Sequence, residues 1–196
     1  EGPEEQLILT KNAQPALMAN SVAVVRVIEA ETQKKISDLV DYVAGHSLGE
    51  YSALAAINSI SLNDAAKLLR LRGESMQAAV PIGDGAMAAL LGAGMDAVTN
   101  IINEASKIGI CEIANDNAPG QIVISGEAKA VNKAIKISSD FGVRKAMSLP
   151  VSAPFHCSMM KPAAEVMAVA LKKTNITSPD VPLVANVSAF VGNGDP

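Results

Sequence analysis

Apolar positions along the chain change period more than once, and the changes outline its elements. Leu17, Ser21, Val24, Val25 and Ile28 fall on one face at helical spacing. Pro15, with fixed φ and no N–H to lose, suits a first turn and predicts that a packed helix starts there. Leu39 to Ala44 is a short, mostly apolar run that stops at Gly45-His46-Ser47-Leu48-Gly49, and Tyr51 to Ile57 can continue as helix, so this region reads as strand, sharp turn, helix. Ser61-Leu62-Asn63-Asp64 has the form of a capping box opening a second helix, which Pro81 forbids from continuing. Gly83-Asp84-Gly85 follows as a linker.

After the linker come shorter alternations. Ala86 to Leu91 reads as strand, Asp96 to Lys107 as helix, Cys111 to Asn115 as strand, Pro119-Gly120 as a turn, Gln121 to Ser125 as strand, Glu127 to Ser139 as helix and Val143 to Leu149 as strand. The order βαββαβ is the ferredoxin-like pattern and predicts an antiparallel sheet. The division expected from it is a small subdomain at 84–149 inserted into a core made of 1–83 and 150–196. In that core Pro162 to Lys173 is helical with a basic last turn, Val181 to Val187 is a strand, and Asn193-Gly194-Asp195-Pro196 is a turn. The class is α/β.

Composition narrows what such a fold can do. Hydrophobic residues make up 49% of the 196 and charged residues 18%, enough apolar material for a sizeable core. Sixteen basic against 20 acidic residues leave a net charge of −4, which argues against a nucleic-acid partner, and 3% aromatic content without Trp leaves little to stack on bases. No apolar run is long enough to span a bilayer, so no membrane partner is expected. Two cysteines, Cys111 and Cys157, with no charged-then-apolar stretch before them, fit a reducing, cytoplasmic compartment. In that setting the sequons at Asn175 and Asn186 are coincidence. The chain begins at Glu1 without Met, and the expectation is a piece of something longer.

Gly45-His46-Ser47-Leu48-Gly49 fits G-x-S-x-G, in which a serine on a strained strand-to-helix turn exposes its hydroxyl and the next backbone N–H faces a developing oxyanion. A serine needs a base, and the chain has two histidines. His46 adjoins Ser47, where neighbouring side chains diverge, which leaves His156 in Ser152-Ala153-Pro154-Phe155-His156. On the helix after Ser61, Leu62, Ala65, Leu69 and Met76 share the face of Arg72, whereas Arg70 points to water. An inward guanidinium requires an anion. A structural Asp or Glu and a substrate carboxylate both satisfy that requirement.

Other patterns carry less. Gly92-Ala93-Gly94-Met95-Asp96-Ala97 imitates a dinucleotide fingerprint, but Asp96 would crowd a pyrophosphate and the antiparallel order lacks the crossover. Ser158-Met159-Met160-Lys161 matches S-x-x-K without its companion motifs. The histidines and cysteines are never spaced as metal ligands, so no metal is expected.

Gly45-His46-Ser47-Leu48-Gly49-Glu50, Gln14-Pro15-Ala16-Leu17, Arg72-Gly73, Asn115-Asp116-Asn117-Ala118-Pro119-Gly120-Gln121 and Pro154-Phe155-His156 together resemble the malonyl-CoA:acyl carrier protein transacylases of fatty acid synthesis and the related acyltransferase domains of polyketide synthases. The resemblance covers essentially the whole chain. It implies an α/β-hydrolase-like core with a ferredoxin-like subdomain, and a two-step acyl transfer through a malonyl-serine ester. By resemblance Ser47 is the nucleophile, His156 the base, and Leu48 an oxyanion donor. Arg72 holds the free malonyl carboxylate, and Asn115 and Asn117 lie near the coenzyme or pantetheine path. Phe155 crowds an α-methyl group and so favours malonyl. Malonyl-CoA enters as substrate, acyl carrier protein is the partner, and no permanently bound cofactor is implied.

Two family parts do not occur in the chain: an N-terminal Gly-Gln-Gly segment that supplies the other oxyanion donor, and a C-terminal Gln that orients the histidine. The expectation is therefore a protein lacking both terminal segments. An acidic carrier would need a local basic surface, for which Lys67 with Arg70, or Lys133, Lys136, Arg144 and Lys145, are the candidates. The competing readings are an esterase or thioesterase, which needs an acidic triad member between Ser47 and His156, and a non-catalytic module.

Overall fold

The computed structural model describes residues 2–151 and 153–192; Ser152 and the turn expected at 193–196 lie outside them. The elements are α1 (Glu4–Leu7), α2 (Thr10–Thr32), β1 (Val43–Ala44), α3 (Gly49–Ala56), α4 (Leu62–Ala78), β2 (Gly85–Leu91), α5 (Met95–Ala105), β3 (Cys111–Ala118), β4 (Gln121–Glu127), α6 (Ala128–Ile137), β5 (Lys145–Ser148), α7 (Lys161–Lys172) and β6 (Leu183–Val184). They fall into two compact units, Glu1–Glu74 with Met167–Pro196, and Ser75–Val166.

The first unit is built on a short parallel sheet and the helices around it. β1 and β6 pair in parallel, Val43 opposite Leu183 and Ala44 opposite Val184. Met18, Val22, Ala55, Ile60, Ala65, Leu68, Leu69 and Met167 form its buried cluster. Helix α4 opens as the sequence predicts: the Asp64 N–H donates to Ser61 Oγ at 3.0 Å, and Ser61 Oγ donates in turn to the Asp64 carboxylate at 2.7 Å. Ala65 and Leu69 are fully buried on the face expected for Arg72, whereas Leu62 is 52% exposed, because it stands in the first turn, before the helix meets its neighbours.

Helix α2 departs from expectation in two ways. It starts at Thr10, so that Pro15 lies inside it, and the face it buries is Gln14, Met18 and Val22, while Leu17, Val24 and Ile28 are exposed. The aliphatic positions give a stripe out of phase with the buried one because a polar side chain, Gln14, leads the buried face. The cause is a close helix crossing. A Cβ at Gly73 of α4 would lie 2.4 Å from the Lys11 Cα of α2, so only glycine lets the two backbones approach this far.

The strand expected at 39–44 is reduced to its last two residues, with a 3-10 turn at Ile36–Asp38 before it, and the strand expected at 181–187 to Leu183–Val184. The second unit follows prediction more closely. Its elements run β2-α5-β3-β4-α6-β5, and the sheet order is β3-β4-β2-β5 with every pair antiparallel. This is the ferredoxin-like arrangement. Ala88, Leu90, Val98, Ile101, Ile124, Val131 and Ala134 fill the space between the sheet and α5 and α6. The glycine-rich run at Gly92 connects β2 to α5 in this antiparallel sheet, which removes the crossover that a dinucleotide site needs. No helix among the described residues is long and apolar enough to cross a membrane.

Gly73→Ala is expected to destabilise the protein by about 1–3 kcal/mol through overpacking against Lys11. Ser61→Ala is expected to cost about 1 kcal/mol through loss of the cap. Denaturant unfolding followed by circular dichroism checks both.

Candidate active site

Ser47 sits where β1 ends and α3 begins. Its φ is +55°, a left-handed conformation that costs a non-glycine residue energy and that surrounding structure must hold. Gly45 makes the bend possible, since a Cβ there would lie 1.9 Å from the Gly49 carbonyl carbon. The turn closes through Gly49 N–H to His46 O at 2.9 Å and Glu50 N–H to Ser47 O at 3.2 Å. The Leu48 N–H donates to no acceptor among the described residues.

Arg72 reaches this turn from α4. Its Nη2 donates to Ser47 Oγ at 3.1 Å and its Nη1 to Gln14 Oε1 at 2.6 Å. Gln14, 3% exposed, is fixed in turn by donating from Nε2 to Thr10 Oγ1 at 2.9 Å. The crossing at Gly73 thus places a glutamine carbonyl, a neutral acceptor, against the guanidinium. Among the described residues no Asp or Glu forms an ion pair with Arg72. Burial draws its pKa below the ordinary arginine value, opposed by the nearby Tyr51 and Glu50, and burial also pushes the Tyr51 hydroxyl up. Of the two anions left open by the sequence, the structural carboxylate is not found in contact with Arg72 among the described residues, Glu50 acting on it only through space. Arg70 is exposed as expected and is held by Glu74 at 2.6 Å.

His156, Phe155, Asn115 and Asn117 belong to the second unit. His156 is half-buried with φ +60°, in a bend pinned on both sides. Before it, Pro154 packs so closely on Gly85 that a Cβ there would lie 2.3 Å from the proline ring. After it, the Ser158 N–H and Oγ both donate to the Glu112 carboxylate, at 2.7 and 2.6 Å. Phe155 packs on the cluster of Met76, Val80, Met160 and Ala163. Asn115, half-buried, and Asn117, exposed, lie on edge strand β3, where the register against β4 slips twice, between Ile113 and Asn115 and between Asp116 and Ala118.

Both cysteines are unbridged. Burial pushes the Cys111 thiol up to about 11 and raises Cys157 as well, so neither offers a thiolate near neutral pH to compete with Ser47. No group of three His, Cys, Asp or Glu among the described residues is placed to hold a metal ion.

Sequence reasoning missed three contributors. Gln14 stands in a motif that assigns it no role, and a glutamine at the head of a helix stripe is its only signal. Glu112 and Asn186 had none, since each acts across a long sequence separation.

The chain matches the acyl transferase domain family over residues 1–190. It is 47% identical over 192 residues to the malonyl CoA-acyl carrier protein transacylase of Bacillus subtilis, covering 97% of this chain and 59% of that protein. The crystal structure of an acyl-carrier-protein S-malonyltransferase from Bartonella henselae superimposes with a TM-score of 0.95 at 55% identity, covering 100% of this chain and 62% of the other. A malonyl-transacylase solved in complex with a type II polyketide acyl-carrier protein gives a TM-score of 0.92 at 41% identity, covering 98% and 61%. The chain thus spans about three fifths of the length of these relatives. A family match that runs through residues 1–190, over a serine elbow whose hydroxyl is met by Arg72, places the chain in the acyl transferase domain family.

Proposed function

We propose that the intact protein transfers a malonyl group from malonyl-CoA to the phosphopantetheine thiol of acyl carrier protein, supplying fatty acid biosynthesis in the cytoplasm. The observation that carries this reading is Arg72, half-buried, without a carboxylate partner among the described residues, and 3.1 Å from Ser47 Oγ. In a malonyl ester on that oxygen, the free carboxylate lies only a carbonyl and a methylene away. A planar guanidinium in contact with Oγ is therefore within reach of it and can take it bidentately.

The reaction follows from these roles. Ser47 Oγ attacks the thioester carbon while His156 accepts the hydroxyl proton. The tetrahedral oxyanion is met by the Leu48 N–H. Collapse expels the coenzyme A thiolate, which takes the proton back from the imidazolium and leaves the malonyl-serine ester. The carrier's thiol, deprotonated by His156, attacks that ester, and the returning proton restores Ser47. Asn115 and Asn117 line the path of the pantetheine chain, and Phe155 crowds the α-carbon, where one extra methyl is discriminated by about 1–3 kcal/mol. The names of the relatives and the carrier complex of one of them support this substrate and this partner.

In the intact protein Ser47→Ala is expected to abolish covalent labelling by radioactive malonyl-CoA, read on a denaturing gel. Arg72→Ala is expected to lower kcat/KM for malonyl transfer by about a hundredfold or more while sparing acetyl transfer, because a charge-assisted pair is lost for one acyl group only. Equal loss for both would make Arg72 structural. Release of free malonate as fast without carrier protein as with it would favour a thioesterase.

A further inference from the structure

Asn186 belongs to a sequon that the proposed reaction does not use, and the fold gives it another task. β6 runs parallel to β1, so both strands leave the sheet at the same end, where open α/β sheets gather their functional groups. One chain goes into the Ser47 turn and the other into the turn at Asn186. The Ser47 N–H donates to Asn186 Oδ1 at 2.7 Å, and the Asn186 N–H donates to Glu50 Oε2, in the first turn of α3, at 3.2 Å. Asn186 therefore ties the residue at φ +55° to the helix that follows it.

The tie is itself anchored. The Asn186 turn closes a small loop through Ala185 N–H to Phe190 O at 2.9 Å, Ala189 N–H to Ala185 O at 2.9 Å and Gly192 N–H to Leu183 O at 2.8 Å. Ser188, the sequon's last residue, accepts the Phe190 N–H at 3.3 Å. The N-x-S spelling is thus accounted for by an acceptor for the elbow and an acceptor for the turn.

We propose that Asn186, seated on Glu50, is a positioning residue that holds the strained backbone of Ser47 in its reactive conformation. An amide oxygen fits this place better than a carboxylate would, because it accepts the Ser47 N–H without setting a second negative charge beside Glu50 or near the developing oxyanion. The proposal rests on Ser47 being the nucleophile. It adds that the loss on removing Asn186 falls on serine reactivity and is indifferent to the acyl group, unlike the loss at Arg72.

The test is the single-turnover rate of Ser47 acylation in the intact protein by malonyl-CoA and by acetyl-CoA, together with labelling by a fluorophosphonate. Asn186→Ala is expected to slow all three about tenfold, the worth of one well-made hydrogen bond, with KM and the fraction of labelled sites unchanged. Glu50→Ala is expected to slow them in the same direction, and Glu50→Gln, whose amide oxygen still accepts the Asn186 N–H, to restore the rate. Unchanged rate constants, a loss confined to malonyl, or a loss seen only as fewer labelled molecules would overturn the role. Persistent labelling of Ser47→Ala would instead overturn the reading beneath it.

Discussion

Placing a guanidinium against a serine hydroxyl, with no carboxylate in contact with it among the described residues, is the constraint around which the first unit is organised. Half-burying Arg72 is unfavourable, and the fold offsets this with a neutral acceptor, the Gln14 carbonyl, and with Glu50 acting through space, so that no carboxylate among the described residues occupies the guanidinium directly. That acceptor is available only because α2 and α4 cross at Gly73 and Lys11 almost backbone on backbone. A glutamine, a glycine and an arginine from two helices thus serve one purpose. A carboxylate in place of Gln14 would stabilise the arginine better and leave nothing for a substrate anion to gain.

The serine turn shows the same economy in its backbone. Gly45 permits the bend, Gly49 and Glu50 close it, and the left-handed Ser47 is bonded to the neighbouring parallel strand's exit. Strain of this kind, on the order of 1–3 kcal/mol, persists only where several contacts agree on it. His156 shows a comparable pattern in the second unit, again left-handed, between a proline packed on Gly85 and a serine bonded twice to Glu112. Both proposed reactive groups are loop residues whose neighbours are fixed. Loops of this kind keep a side chain accessible without letting it wander.

Much of this was legible beforehand, for reasons that differ by element. The ferredoxin-like sheet was readable because its strands are bounded by turn residues and its helices are strongly one-sided, so that local signals and tertiary demands coincide. G-x-S-x-G was readable because a bend this tight imposes glycine at Gly45 for steric reasons. The inward face of Arg72 was readable from periodicity. The phase of α2 was not, because its buried stripe is led by Gln14, which apolar counting passes over, and because Leu17 and Val24, which lie outside that stripe, are apolar too.

What the residues decided unaided was the α/β class, the order of elements, the serine elbow, and the presence of an arginine that needs an anion. All of these are written in local periods, turn chemistry and steric limits between near neighbours. Tertiary structure alone decided what that arginine meets, namely Gln14 and the Ser47 hydroxyl in place of an acid, and which residues steady the two loops, Asn186 on one and Glu112 on the other. Those partners stand far apart along the chain and are brought together by strand pairing and helix crossing. A hydrogen bond of that span leaves no periodic trace in the sequence that makes it.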